Sequence, residues 1–237
     1  MLLRRKIAAE AVGTALLLAA VVGSGIMAED LAKPNVALAL LANTVATGAA
    51  LVALIIAFGP ISGAHFNPVV TLADASQGGL RWREVPAYIA AQLLGAFAGV
   101  AVAHVMFKQP ALFFASQHRR DGIAQLVGEF VATFGLLSVI WGAARRRPGL
   151  VPFAVGAYIT AAYWFTSSTS FANPAVTLAR AATDTFAGIR PADAPGFIVA
   201  QLAGGAAATA LFRWLLPALP LVAARVVDRP NSDEDLP

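Results

Sequence analysis

The chain has 237 residues, 58% of them hydrophobic and only 13% charged, with a mean hydropathy of +0.70, which lies outside the range of soluble globular domains. The net charge of +4 does not point to nucleic acid, because the basic residues stand in short clusters between apolar runs and form no single stripe. Cysteine is absent, which excludes a disulfide framework and any thiolate metal site.

In chain order, Arg4, Arg5 and Lys6 precede an apolar run that ends near Ala28, the outline of a secretory leader. Glu10 interrupts that run and the same pattern recurs downstream, so the segment reads as a retained first span. A spanning helix needs about 20 mainly apolar residues, and such stretches fall at 6–27, 36–58, 86–107, 122–144, 150–168 and 195–216. The expected fold is an all-α membrane domain over residues 1–237, with six spans and a lipid bilayer around it. With six spans both termini lie on one side. That side collects Arg4, Arg5, Lys6, Arg81, Arg83, Arg145, Arg146, Arg147, Arg213, Arg225 and Arg229. This excess of Lys and Arg predicts cytoplasmic termini in a cell (inner or plasma) membrane. The polar tail 228–237 is expected to be disordered.

The chain also repeats itself. Asn67 to Ala73 reads NPVVTLA and Asn173 to Ala179 reads NPAVTLA. Glu10 and Thr14 correspond to Glu129 and Thr133, and Pro86, Ile89, Gln92 and Gly95 to Pro195, Ile198, Gln201 and Gly204. Each half, roughly 6–107 and 122–216, thus holds three spans and one NP segment. Three is odd, so the halves enter the membrane in opposite senses, an inverted repeat whose interface is the expected site.

The stretches 62–75 and 169–181 are too apolar for water and too short to span, so they are expected to be re-entrant half-helices. Asn67 and Asn173 fit the N-cap and Pro68 and Pro174 the first helical position, where no N–H is needed. Non-helical backbone at membrane depth survives only when buried in protein or lining a wet cavity. The residues before each Asn are therefore expected to turn carbonyls toward a pore: Gly63, Ala64 and His65 in one half, and Thr169, Ser170 and Phe171 in the other. The His65 side chain fits either a pore-lining or a loop-fixing role. No zinc spacing surrounds it, and no metal or other cofactor is expected. Gly95 and Gly99 suit close helix contact.

SGAHFNPV and NPAVTLA resemble the twin asparagine-proline-alanine boxes of the aquaporin family, over essentially residues 6 to 216. The resemblance implies a channel and not an enzyme, built of six transmembrane helices and two half-helices that meet at the midplane. There the amides of Asn67 and Asn173 would donate to passing solute, and the two positive helix ends would oppose cations, the selectivity expected of an aquaporin-type pore. Val69 stands where the family usually has Ala, and Ala175 keeps the usual residue. The resemblance also implies that Glu10 and Glu129, which would otherwise suggest a proton pathway, brace the re-entrant loops with help from Gln92 and Gln201. A homotetramer with one pore per protomer is implied in the same way.

One departure bears on substrate. Most members carry Arg directly after the second box, and this chain has Val176. By the family pattern the other constriction positions fall on Thr47, Ala161 and Ser170, all small and none charged. Such a mouth suits small neutral solutes, glycerol and the neutral trihydroxide of arsenite together with water, and resembles a bacterial aquaglyceroporin branch associated with arsenic resistance. A general water and glycerol facilitator is the alternative. A proton-coupled secondary transporter working through Glu10 or Glu129 is a third reading.

Overall fold

The computed structural model describes residues 1–216; the expected disordered tail 228–237 lies outside the described residues. Eight α-helices carry the described chain: α1 (Leu3–Ala32), α2 (Val36–Ser62), α3 (Pro68–Ser76), α4 (Val85–Met106), α5 (Ile123–Arg146), α6 (Val151–Phe165), α7 (Pro174–Arg180) and α8 (Ala194–Leu215). Five of them, α1, α2, α4 with its leading turn, α5 and α8, are long and apolar enough to cross a membrane.

The sixth expected span, 150–168, is corrected. Its helix has only 15 residues, because the backbone turns extended at Thr166 and the Ser/Thr run that follows leaves the helix. A single 3-10 turn, Pro148–Leu150, leads into α6 from the other end.

α1 packs on α4 and α2, α5 packs on α8 and α6, and α2 meets α6 across the pseudo-twofold axis. α1 starts and α8 ends at one face, called here the terminal face; the turn 33–35 and the segment 107–122 lie at the opposite, distal face. Small residues set the crossings. A Cβ on Gly95 would lie 2.2 Å from the Ala11 carbonyl oxygen, and one on its repeat counterpart Gly204 2.4 Å from that of Phe130. At the α2–α6 crossing a Cβ on Gly48 would meet Thr160 Oγ1 at 1.9 Å and one on Gly156 the Gly48 carbonyl at 2.7 Å. The outward surfaces keep large apolar side chains such as Leu94, Val105, Ile123, Phe153 and Val199 exposed, as a lipid solvent demands.

Candidate functional site: a pore between two half-helices

Each half-helix begins at its Asn. Asn67 Oδ1 accepts the Val69 N–H at 2.9 Å, and Asn173 Oδ1 accepts those of Ala175 at 3.0 Å and Val176 at 3.3 Å. Pro68 and Pro174 occupy the first helical position, where the missing N–H costs nothing. The amide nitrogens then reach across the repeat: Asn67 Nδ2 donates to the Ala172 carbonyl and Asn173 Nδ2 to that of Phe66, both at 2.7 Å. Each side-chain amide has two N–H groups, so one remains for the cavity that both Asn residues line.

The segments before the boxes repeat one another in backbone angle. Gly63, Ala64 and Phe66 have φ of 89°, 49° and 48°; their counterparts Thr169, Ser170 and Ala172 have 59°, 52° and 50°. Left-handed non-glycine residues cost about 1–3 kcal/mol each and persist only where the surroundings over-determine them. Two buried carboxylates do so here. Glu10 accepts the backbone N–H groups of His65 and Phe66 at 2.9 and 2.8 Å, the Ser62 hydroxyl at 2.7 Å and Gln92 Nε2 at 2.8 Å. Glu129 accepts Phe171 N–H and Ala172 N–H, each at 2.8 Å, and Gln201 Nε2 at 2.6 Å. The glutamines tie these anchors to the half-helices, through Thr71 Oγ1 at 2.8 Å and Thr177 Oγ1 at 2.9 Å.

A cavity of about 950 Å³, open space at its ends included, runs past these groups. Gly63, Ala64, His65, Ser170 and Phe171 line it, as do Asn67, Asn173, Thr47 and Val176. Thr169 is instead a half-buried strut whose hydroxyl accepts from Arg120 Nη1 at 3.3 Å. Pro68, Val69, Pro174 and Ala175 stand behind the lining, buried. His65 does both things considered for it: it faces the cavity, and its Nδ1 lies 3.2 Å from Thr71 Oγ1.

Ala161 requires correction. It is exposed on the outward face of α6, while Ile159 and Tyr163 supply the α6 wall. A two-residue offset rotates a helical position by about 200°, so Ala161 and those two cannot share a face. Tyr163 reaches toward α2, its hydroxyl 3.4 Å from Thr47 Oγ1.

The uncharged mouth requires correction too. Arg180 lines the cavity at the distal end and Asp74 at the terminal end. Both were legible as the eighth residue of the repeated segment, NPVVTLAD against NPAVTLAR. The Arg180 guanidinium carbon lies 3.4 Å from the centroid of the Phe171 ring, and its Nε donates to the Ala187 carbonyl. Asp74 Oδ2 is 3.7 Å from His65 Nε2, so His65 flanks Asp74 as Phe171 flanks Arg180. Arg120, in the distal segment, lies 5.0 Å from the same Phe171 ring. Burial pulls its guanidinium down to about 10, still charged at neutral pH. Among the described residues no cluster of three or more His, Cys, Asp or Glu could hold a metal ion.

The description of the major intrinsic protein family matches residues 1–170. The chain belongs to the major intrinsic protein family. It is therefore a membrane channel and not an enzyme. It is 57% identical over 221 residues to the aquaglyceroporin AqpS of Rhizobium meliloti, covering 93% of this chain and 94% of that one. Aquaporin Z of Photorhabdus laumondii is 36% identical over 64% of this chain and 71% of its own length. Aquaporin NIP1-1 of Zea mays is 38% identical over 65% of this chain and 55% of that longer one. The solved aquaglyceroporin of Plasmodium falciparum superposes with a TM-score of 0.70 over 93% of this chain and 100% of its own, at 21% identity, which bears on the fold alone.

Proposed function

We propose that this major intrinsic protein is a passive channel for glycerol, the neutral trihydroxide of arsenite, and water. The observation that carries the reading is the cavity lined by both NP segments, in which Thr47, Ser170 and Val176 present small side chains toward the distal end while Arg180 is held against the Phe171 ring. Asn67 and Asn173 supply donors halfway along it, and the re-entrant backbone supplies acceptors, a lining that suits polyhydroxyl solutes without net charge. Similarity to a protein named an aquaglyceroporin supports glycerol as one of them. We assign the channel to the cell membrane as a homotetramer with both termini cytoplasmic, on the distribution of Lys and Arg and the family resemblance. A C-terminal reporter active only on the far side of that membrane would reverse the orientation.

The coupled-transporter reading loses its proton carriers here. Glu10 and Glu129 are fully buried and committed to loop N–H groups and glutamines, so a protonation cycle would release the segments that form the pore.

The test is osmotic stopped flow on proteoliposomes, with the water and solute phases measured separately for glycerol and arsenite. Val176→Arg is expected to reduce glycerol and arsenite permeability about tenfold while water permeability falls less, since a long guanidinium fills the mouth but still donates to water. Glycerol flux with arsenite excluded from the parent protein would leave the general water and glycerol facilitator. Unchanged ratios in the variant would remove Val176 from the constriction.

A further inference from the structure

Val176 leaves the position after the second box without a cation, yet the cavity is not without one. Four residues on, one helical turn along the same face of α7, Arg180 lines the distal end. Its side chain is 2% exposed, and Arg180 forms no ion pair among the described residues. The carboxylate that acts on it electrostatically, Glu129, is already bound to the Phe171 and Ala172 N–H groups and to Gln201. Arg120, the other cation on the Phe171 ring, adds charge of the same sign. Nε is held by the Ala187 carbonyl, which fixes the guanidinium beside Tyr163 and Phe171, and these two line the cavity with it.

We propose that Arg180 is the cation filter of this pore, acting from one turn beyond the site that Val176 occupies. The wall at the level of Val176 can then be wide enough for a polyol while the charge that rejects cations stands behind it, fixed on an aromatic face. The inverted repeat gives the terminal end the opposite sign, through Asp74 beside His65. A cation that enters past Asp74 meets first the positive ends of the two half-helices at the boxes and then the fixed charge of Arg180. In water a single charge acts weakly, but beside a dry wall its effect on another charge a few ångströms away is several times larger.

The inference rests on the channel reading, and the experiment separates the two. Parent protein, Arg180→Met and Arg180→Lys are reconstituted at matched amounts, and flux of glycerol and of methylammonium is measured at a pH where the amine is ionised. Methylammonium is smaller than glycerol, so width cannot exclude it. The parent is expected to pass glycerol and reject methylammonium. Arg180→Met should raise the methylammonium-to-glycerol permeability ratio about tenfold or more, and Arg180→Lys should keep it near the parent value. Should the Met variant fail to insert, Arg180→Gln, neutral but able to donate to the Ala187 carbonyl, takes its place. The proposal is overturned if the parent passes methylammonium as readily as glycerol, if the neutral variant leaves the ratio unchanged, or if Lys raises it as much as Met. A parent that passes no glycerol at all would count against the channel reading itself.

Discussion

Glu129→Ala is expected to cost most of the folded, inserted protein. The carboxylate takes four donors at once, Phe171 N–H, Ala172 N–H, Gln201 Nε2 and the Ser168 hydroxyl, and alanine removes their acceptor at a place where neither water nor lipid can replace it. Leaving one buried donor unpaired costs about 1–3 kcal/mol, and removing one member of a buried charged network typically costs about 3–5 kcal/mol. Ser170 and Ala172 would also lose the tie that holds them left-handed. In detergent, the melting temperature of Glu129→Ala should fall by about 10 °C or more, and Glu10→Ala should behave alike because its four donors are arranged in the same way. Glu129→Gln keeps the shape and part of the acceptor capacity. Whatever fraction of it inserts should conduct glycerol at the parent rate per molecule. A proton relay would show the reverse pattern, a stable Gln variant with flux abolished, and that result would restore the transporter reading.

How far the sequence could be read depends on which interactions are local. Hydropathy found the long spans because α1, α2, α4, α5 and α8 are continuous apolar runs, but it drew α6 too long, since the Ser/Thr run after Phe165 carries no charge to mark where the apolar stretch ends. The half-helices were legible because cap and helix start are adjacent residues, Asn67 with Pro68 and Asn173 with Pro174. The reciprocal bonds from Asn67 to the Ala172 carbonyl and from Asn173 to that of Phe66 span more than a hundred residues of chain. They follow only once the inverted halves are brought together, so Phe66 and Ala172 escaped notice. Ala161 failed for a different reason: counting along a family pattern fixes sequence position and not helix phase, and α6 turns Ile159 and Tyr163 inward. Asp74 and Arg180 were missed because attention stopped at the seventh residue of a repeat whose eighth carries the charge.

Val69 stands where the family usually has alanine, and its structural setting shows why it is tolerated. Gly205 on α8 faces it so closely that a Cβ there would lie 2.2 Å from Val69 Cγ1. In the other half the corresponding residues are Ala175 and Ala96, both fully buried in one cluster. One half therefore pairs a large residue with none, and the other pairs two small ones. Gly205→Ala should then be strongly destabilising. Val69 cannot retreat, because its N–H is bound to the Asn67 cap at 2.9 Å, and moving it displaces the amide that reaches across to Ala172. Overpacking of this kind costs about 1–3 kcal/mol, and the shift of Asn67 should lower glycerol flux as well. Val69→Ala alone removes two methyl groups from a buried contact, a loss of roughly 1–2 kcal/mol. The double variant rebuilds the Ala175 and Ala96 arrangement and should recover most of both losses, a coupling of the size seen between residues in contact. Melting temperature and glycerol flux for the two single variants and the double give the cycle. If the double variant is as impaired as the sum of the singles, then Val69 and Gly205 do not compensate one another, and the close approach of α3 to α8 must be set by other residues.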